Sequence, residues 1–303
     1  MRIGYCLLAA ILAASLLSAA GPNPRTTPTD MVVTVQPAKG STPALEPGEL
    51  AVLANNSAAP VLQLRRLSGD SAGMQLFVLL DDSTRSASLA LHFYELRSFL
   101  NSLPSTTEVA VGYMRNGGFA LSQAFTADHA KASAALRLPE AVPGANGSPY
   151  FALSELVKHW PSKETTGRRA VLMLTDGVDR YYGPAIEDDP YVDTACQDAL
   201  KHGVMVYSIY VRGAGLYGRG SWSTNIAQSR LIQVGEETGG YAYFEDLADP
   251  VTIAPFLANL EQRFDNQYDV TIDARDLRGL QPVKLRTETP NLKVSGPTRI
   301  YVQ

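Results

Sequence analysis

The side chains best equipped for chemistry fall in three short polar segments. The first is Asp81-Asp82-Ser83-Thr84-Arg85-Ser86, directly after the nearly all-apolar run Gln75–Leu80. The second is Asn146-Gly147-Ser148, followed by Pro149. The third is Thr175-Asp176-Gly177-Val178-Asp179, directly after the apolar run Ala170–Leu174. Together they offer carboxylates from Asp81 or Asp82 and from Asp176, and hydroxyls from Ser83, Thr84, Ser86 and Ser148. A hard divalent cation takes oxygen ligands of this kind in near-octahedral geometry and keeps several waters. The cofactor these residue types point to is Mg²⁺, with Mn²⁺ or Ca²⁺ in its place, and no cofactor if the site is degenerate. Each segment also has a plain structural reading. An Asp at a strand end caps the turn that follows. Ser148 with Pro149 at the first helical position is a good helix start. Thr-Asp-Gly is an ordinary tight turn.

Catalysis finds little support. The 4 histidines are His92, His129, His159 and His202, and no two have metal-ligand spacing. No G-x-S-x-G elbow, phosphate-binding P-loop or G-x-G-x-x-G fingerprint occurs. No catalytic residue is assigned, and the chain is not expected to be an enzyme. Two alternatives stay open. One is a Mg²⁺-dependent phosphoryl-transfer hydrolase using Asp81, Asp82 and Asp176, although no nucleophile activator or phosphate-binding Lys is evident. The other is a purely structural envelope protein.

The elements that must position these residues alternate along the chain. Gln75–Leu80, Val109–Met114, Ala170–Leu174, Val204–Val211 and Tyr241–Phe244 read as strands. Those that are apolar throughout suit a parallel sheet covered on both faces. Helices fall between them. Leu89, Phe93, Leu96 and Leu100 share one helical face, as do Leu153, Leu156, Val157 and Trp160. Asn116-Gly117 turns the chain into a hairpin with Phe119–Phe125. The fold class is therefore α/β, a doubly wound and mostly parallel sheet with one antiparallel edge strand. In such sheets ligands bind beyond the carboxyl ends of the strands, where the three polar segments fall. A small flanking β element is expected from the N- and C-terminal segments, with residues 265–303 packing against 31–70. Residues 21–74 read as a leader, flexible to about residue 30, and a short β segment.

Residues 1–20 read as a secretory signal peptide, with Arg2, an apolar stretch from Leu7 to Leu17 and a small-residue cleavage site at Ser18-Ala19-Ala20. No stable transmembrane anchor is expected once it is cleaved, and the location is secreted or periplasmic. Cys196 is then the lone cysteine, read as a small buried apolar residue. A formal net charge of −4 and the lack of a basic stripe argue against nucleic acid as a partner.

An apolar strand ending in Asp-x-Ser, a downstream helix-start hydroxyl and a strand ending in Thr-Asp-Gly resemble a von Willebrand factor type A (VWA) domain over residues 75–264. More narrowly, Asp81–Ser83, Gly112–Gly117, Gly147–Tyr150 and Leu174–Arg180 resemble the secreted VWA-domain proteins of acidobacterial genomes. The resemblance implies a Rossmann-like VWA fold and a MIDAS-like divalent-cation site that takes an acidic group of a partner. Carried over by position, the metal set is Asp81, Ser83, Ser148 and Asp176. Arg85 then stands at the family's second Ser, where a guanidinium offers no acceptor for a cation. It could instead lie between the carboxylates in place of the ion. A first-loop register of Asp82, Thr84 and Ser86 fits the motif as well. Arg85, Tyr150, Asp179, Tyr181, Tyr182, Tyr217 and Trp222 are expected on the binding face, since aromatics bury large area with few rotors. The function implied is a non-enzymatic binding or adhesion module of the envelope or extracellular space, with a protein or envelope ligand.

Overall fold

The computed structural model describes residues 26–37, 44–84, 86–142, 147–164, 167–183, 188–213 and 220–303. The expected signal peptide, Arg85, Asn146 and Tyr217 lie outside the described residues. Four strands open the described chain: β1 (Pro28–Pro37), β2 (Leu50–Ala54), β3 (Ser57–Ala59) and β4 (Val61–Arg66). An alternating part follows, with β5 (Met74–Asp81), α1 (Ser86–Ser102), β6 (Thr107–Arg115), β7 (Gly118–Thr126), α2 (His129–Ala134) and α3 (Pro149–Lys158). It continues as β8 (Arg168–Thr175), α4 (Pro190–Lys201), β9 (Val204–Tyr210), α5 (Ser221–Thr238), β10 (Tyr241–Tyr243) and α6 (Ala254–Asp265). Strands β11 (Gln267–Asp273), β12 (Gly279–Thr287), β13 (Leu292–Ser295) and β14 (Arg299–Val302) end the chain.

The central sheet has six strands in the order β10-β9-β8-β5-β6-β7. All neighbours are parallel except β6 and β7. Asn116 and Gly117 make the β6–β7 turn with φ of 53° and 75°, the left-handed pair that a two-residue hairpin needs. Strand alternation splits the core in two. Leu76, Val78 and Leu80 face one cluster with Leu89, Phe93 and Leu96 of α1 and Leu257 and Leu260 of α6. Phe77 and Leu79 face the other, with Leu153, Leu156, Val192 and Cys196 of α3 and α4. Every β5 residue is buried. Removing one such Leu side chain from water contributes roughly 1.5–3 kcal/mol, which is why a strand apolar on both faces seeks the middle of the sheet. The chain leaves β5 for β6 on one side and returns to β8 on the other. The strand order therefore reverses at β5 and β8, and Asp81 and Thr175 end these two neighbours.

The terminal strands form two antiparallel sheets, β13-β1-β11-β4 and β14-β12-β2-β3, around a core that includes Val33, Val52, Val270, Ile272 and Ile300. One expectation is corrected here. Pro28 to Asp30 belong to β1 and not to a flexible leader, because they pair with Thr271 to Asp273 of β11. The Asp273 carboxylate also accepts the Thr27 N–H at 3.1 Å. A further strand, β3, precedes β4: Asn55 and Asn56, with φ of 49° and 60°, turn β2 back onto it.

Arg168 rivets the sandwich to the α/β part. Its guanidinium donates to the Phe264 carbonyl at 2.8 Å, to Gln267 Oε1 at 2.7 Å and to the Ala72 carbonyl at 2.7 Å. Those acceptors lie on the two stretches of chain that cross between the domains. Burial lowers the Arg168 pKa to about 10. Among the described residues no helix is long and apolar enough to cross a membrane.

Candidate functional site

The three polar segments meet at the carboxyl edge of β5 and β8. Asp81 Oδ2 accepts the Thr175 hydroxyl at 2.9 Å. Its Oδ1 accepts the Ser83 N–H at 2.9 Å and the Ser83 hydroxyl at 2.8 Å. Asp82 goes the other way. It is held by Arg137 at 2.8 Å and by the Glu140 N–H at 2.9 Å, and Arg137 stacks over the Tyr113 ring at 3.8 Å. The physical cause is alternation. Asp81 continues the Phe77–Leu79 face, as Thr175 continues Val171–Met173, whereas Tyr113 belongs to the core on the opposite side. Thr84 folds back, its hydroxyl donating to the Asp81 carbonyl at 2.9 Å. The second register thus separates: Asp82 and Thr84 are each engaged away from Asp176, and Ser86 begins α1.

Ser148 caps α3. Its oxygen accepts the N–H groups of Tyr150 at 3.2 Å and Phe151 at 3.4 Å. Its proton goes to Asp179 Oδ2 at 2.6 Å. The other Asp179 oxygen accepts the Tyr181 and Tyr182 N–H groups, each at 2.8 Å. The Arg180 N–H donates to the Gly147 carbonyl at 2.8 Å. The second and third segments are therefore laced together through Ser148, Asp179 and Arg180.

Asp176 is met by a guanidinium. Arg180 Nη2 lies 2.5 Å from Asp176 Oδ2, and Nη1 lies 3.3 Å from Oδ1. The Val178 N–H also reaches Oδ1, at 3.0 Å. Burial pushes the Asp176 carboxyl up, the nearby Asp81 charge adds to this, and Arg180 opposes both. For Arg180, burial works against the charge, but Asp176, Asp81 and Asp179 outweigh it and its pKa is raised. Gly213 closes the far side. A Cβ there would come 1.7 Å from Asp176 Oδ2, so only glycine lets the backbone after β9 pass this carboxylate. Gly177 takes φ of 65° to turn the chain from Asp176 toward Asp179.

A resident divalent cation does not fit this arrangement. The Ser148 oxygen has two lone pairs, and both serve helix N–H groups. The Asp176 carboxylate holds a guanidinium with both oxygens. The Asp81 oxygens each accept a hydroxyl. Of the first-loop hydroxyls, Ser83 gives its proton to Asp81 Oδ1 and Thr84 gives its proton to the Asp81 carbonyl. Among the described residues no three His, Cys, Asp or Glu side chains converge as a metal-binding group.

The expected binding face divides. Tyr181 is 68% exposed, Tyr182 38% and Trp222, in the first turn of α5, 61%. Tyr181 and Tyr182 join Phe151 and Tyr191 in an aromatic cluster, with ring centroids 4.2 to 5.9 Å apart. Tyr150 and Asp179 are corrections, since both are fully buried. The Tyr150 hydroxyl donates inward to the Gly177 carbonyl at 2.8 Å, because Tyr150 lies on the same face of α3 as Leu153 and Val157, which packs into the core. Sequence reasoning picks out neither Thr175 nor Arg180 as a site residue. Their signal was the Leu-Thr-Asp-Gly-x-Asp-Arg run, which does not say which side chains turn back toward Asp81 and Asp176.

No family model matches the chain, and no curated protein matches it. Among solved structures, it is similar to an aerotolerance-related membrane protein from Bacteroides fragilis (12% identity, TM-score 0.46, covering 64% of this chain and 99% of that one). It is similar to proximal thread matrix protein 1 of the mussel byssus, described with a zinc-occupied MIDAS motif (13% identity, TM-score 0.44, 66% of this chain and 47% of that one). It is also similar to the SpRpn10 VWA domain (12% identity, TM-score 0.36, 62% and 94%). At this level of identity no residue role passes from those proteins to this chain.

Proposed function

We propose that this chain is a non-enzymatic binding module of the cell envelope or extracellular space, using the carboxyl edge of its central sheet to hold a protein or envelope ligand. The observation that carries the reading is the convergence of three polar loops at the point where the strand order reverses, beside exposed Tyr181 and Trp222. Ligands of open α/β sheets lie at such crevices. The polar groups there are mutually hydrogen bonded and buried, which fixes the loops that carry exposed Tyr181 and Tyr182. A hydrolase would need a free nucleophile or base beside the carboxylates. The VWA resemblance of residues 75–264 supports the same reading, as does the expected export signal.

The test is capture from an envelope fraction by three forms of the immobilised mature chain. These are the wild type, a Tyr181→Ala/Tyr182→Ala/Trp222→Ala form, and a Tyr301→Ala form altered on β14, in the terminal β-sandwich. A ligand kept by wild type and Tyr301→Ala but lost by the rim form supports the proposal. Equal retention by all three sinks it. Mg²⁺-dependent release of phosphate from a generic phosphomonoester, abolished by Asp176→Asn, would favour the hydrolase instead.

A further inference from the structure

We infer that Arg180 is a built-in cation of this rim and that the site works without a metal ion. The inference rests on the binding-module reading above and says how that site is charged. Asp176 is almost fully buried just past the end of β8, 2% exposed. Buried carboxylates need a counter-charge. Arg180 supplies it from within the same loop, with its side chain only 11% exposed. A guanidinium matches a carboxylate with two parallel N–H donors, and Arg180 sets Nη1 and Nη2 against the two Asp176 oxygens.

Three further observations agree. The Arg180 backbone is pinned to Gly147, so the side chain starts from a fixed point. Gly213 packs against Asp176 from the other side, which leaves that carboxylate no room to swing to a second partner. Ser148 spends its oxygen on the α3 cap and its proton on Asp179, so it has no lone pair for an ion. A solution cation would have to shed waters, expel a covalently tethered guanidinium and uncap a helix. Mg²⁺ gives up its waters reluctantly. Without the guanidinium, the buried Asp176 carboxylate loses its two-pronged counter-charge, and a divalent cation can take that place.

The experiment measures thermal unfolding and calorimetric heats of the mature chain with MnCl₂ or MgCl₂, against NaCl at equal ionic strength. Wild type, Asp176→Asn, Arg180→Ala and Arg180→Ala/Asp176→Asn are compared. The wild type is expected to show no saturable heat and no midpoint shift beyond the NaCl control. Arg180→Ala is expected to melt lower without metal and to regain stability saturably with Mn²⁺, and the double variant to lose that response. Saturable metal binding by wild type, absent in Asp176→Asn, overturns the inference. So does a folded Arg180→Ala that ignores Mn²⁺. If Arg180→Ala does not fold, the wild-type and Asp176→Asn titrations decide alone: no saturable binding by wild type supports the inference. A metal-binding wild type that still loses its ligand on rim substitution overturns this inference and leaves the binding-module reading standing. Retention of ligand by the rim variant does the reverse.

Discussion

The Ser148 hydroxyl donates to the Asp179 carboxylate at 2.6 Å, and that bond ties the first turn of α3 to the turn that carries Tyr181 and Tyr182. The same carboxylate therefore caps one loop and shapes the other. Tyr181 and Tyr182 owe their position at the surface to a residue that is itself fully buried.

Asp179→Ala removes the acceptor of three donors at once. Each buried donor left without a partner costs about 1–3 kcal/mol, and partial access of water to the Tyr181 and Tyr182 amides brings the expected loss to roughly 3 kcal/mol in all. Asp179→Asn keeps a carbonyl oxygen for the Tyr181 and Tyr182 amides and should lose less. Urea unfolding midpoints rank the three proteins. Equal midpoints for wild type and Asp179→Ala would show that the bridge does not hold the loops.

Arg168 links both inter-domain crossings to the start of β8. Arg168→Met keeps the apolar stem and strands the carbonyls of Ala72 and Phe264 and the Gln267 amide. The expected cost is about 3 kcal/mol or more, since breaking a buried charged network exceeds the loss of one bond. Arg168→Lys cannot restore it, because one ammonium does not span the fork. Scanning calorimetry is expected to resolve separate transitions for the α/β part and the β-sandwich in Arg168→Met, where wild type gives one. A single unshifted transition in the variant would remove Arg168 from this role.

Asp273 provides a pH dependence. The hydrogen bond from Arg275 holds its carboxyl below the usual value of 3.8, burial opposes this, and the Thr27 and Arg275 N–H groups reinforce it. A carboxyl lowered in the folded state adds stability above its unfolded pKa, and that stability is lost as pH falls through the folded value. Asp273→Asn should therefore melt below wild type at neutral pH, with the gap closing as pH drops below 3.8. Thermal midpoints across the acid range check this. A gap that is constant with pH would mean that the carboxylate charge is irrelevant to anchoring β1.

Local order was legible from the residues. The runs Leu76–Leu80 and Ala170–Leu174 are apolar at every second position and between, so they had to lie in a sheet covered on both sides. Asn116-Gly117 had to turn, because its two residues tolerate left-handed φ. Ser148-Pro149 had to start a helix. These signals are short-range: each is complete within one turn or one strand. Strand geometry also made the ends of the apolar runs the place for a site.

The partners of the polar groups were decided only by the tertiary structure. Asp81 and Asp82 are adjacent and chemically identical. Alternation carries Asp81 to Thr175, while Arg137, brought in by the chain after α2, takes Asp82. Nothing local set the Ser148 hydroxyl against Asp179, or turned Tyr150 inward onto Gly177. The neighbours of β1 come from the far end of the chain, where Thr27 and Asp273 meet across 246 residues. Periodicity is written in the order of residues and fixes elements. Charge pairing, caps and sheet neighbours depend on which buried group lies nearest in space, and the packing of helices against both faces of the sheet sets those distances.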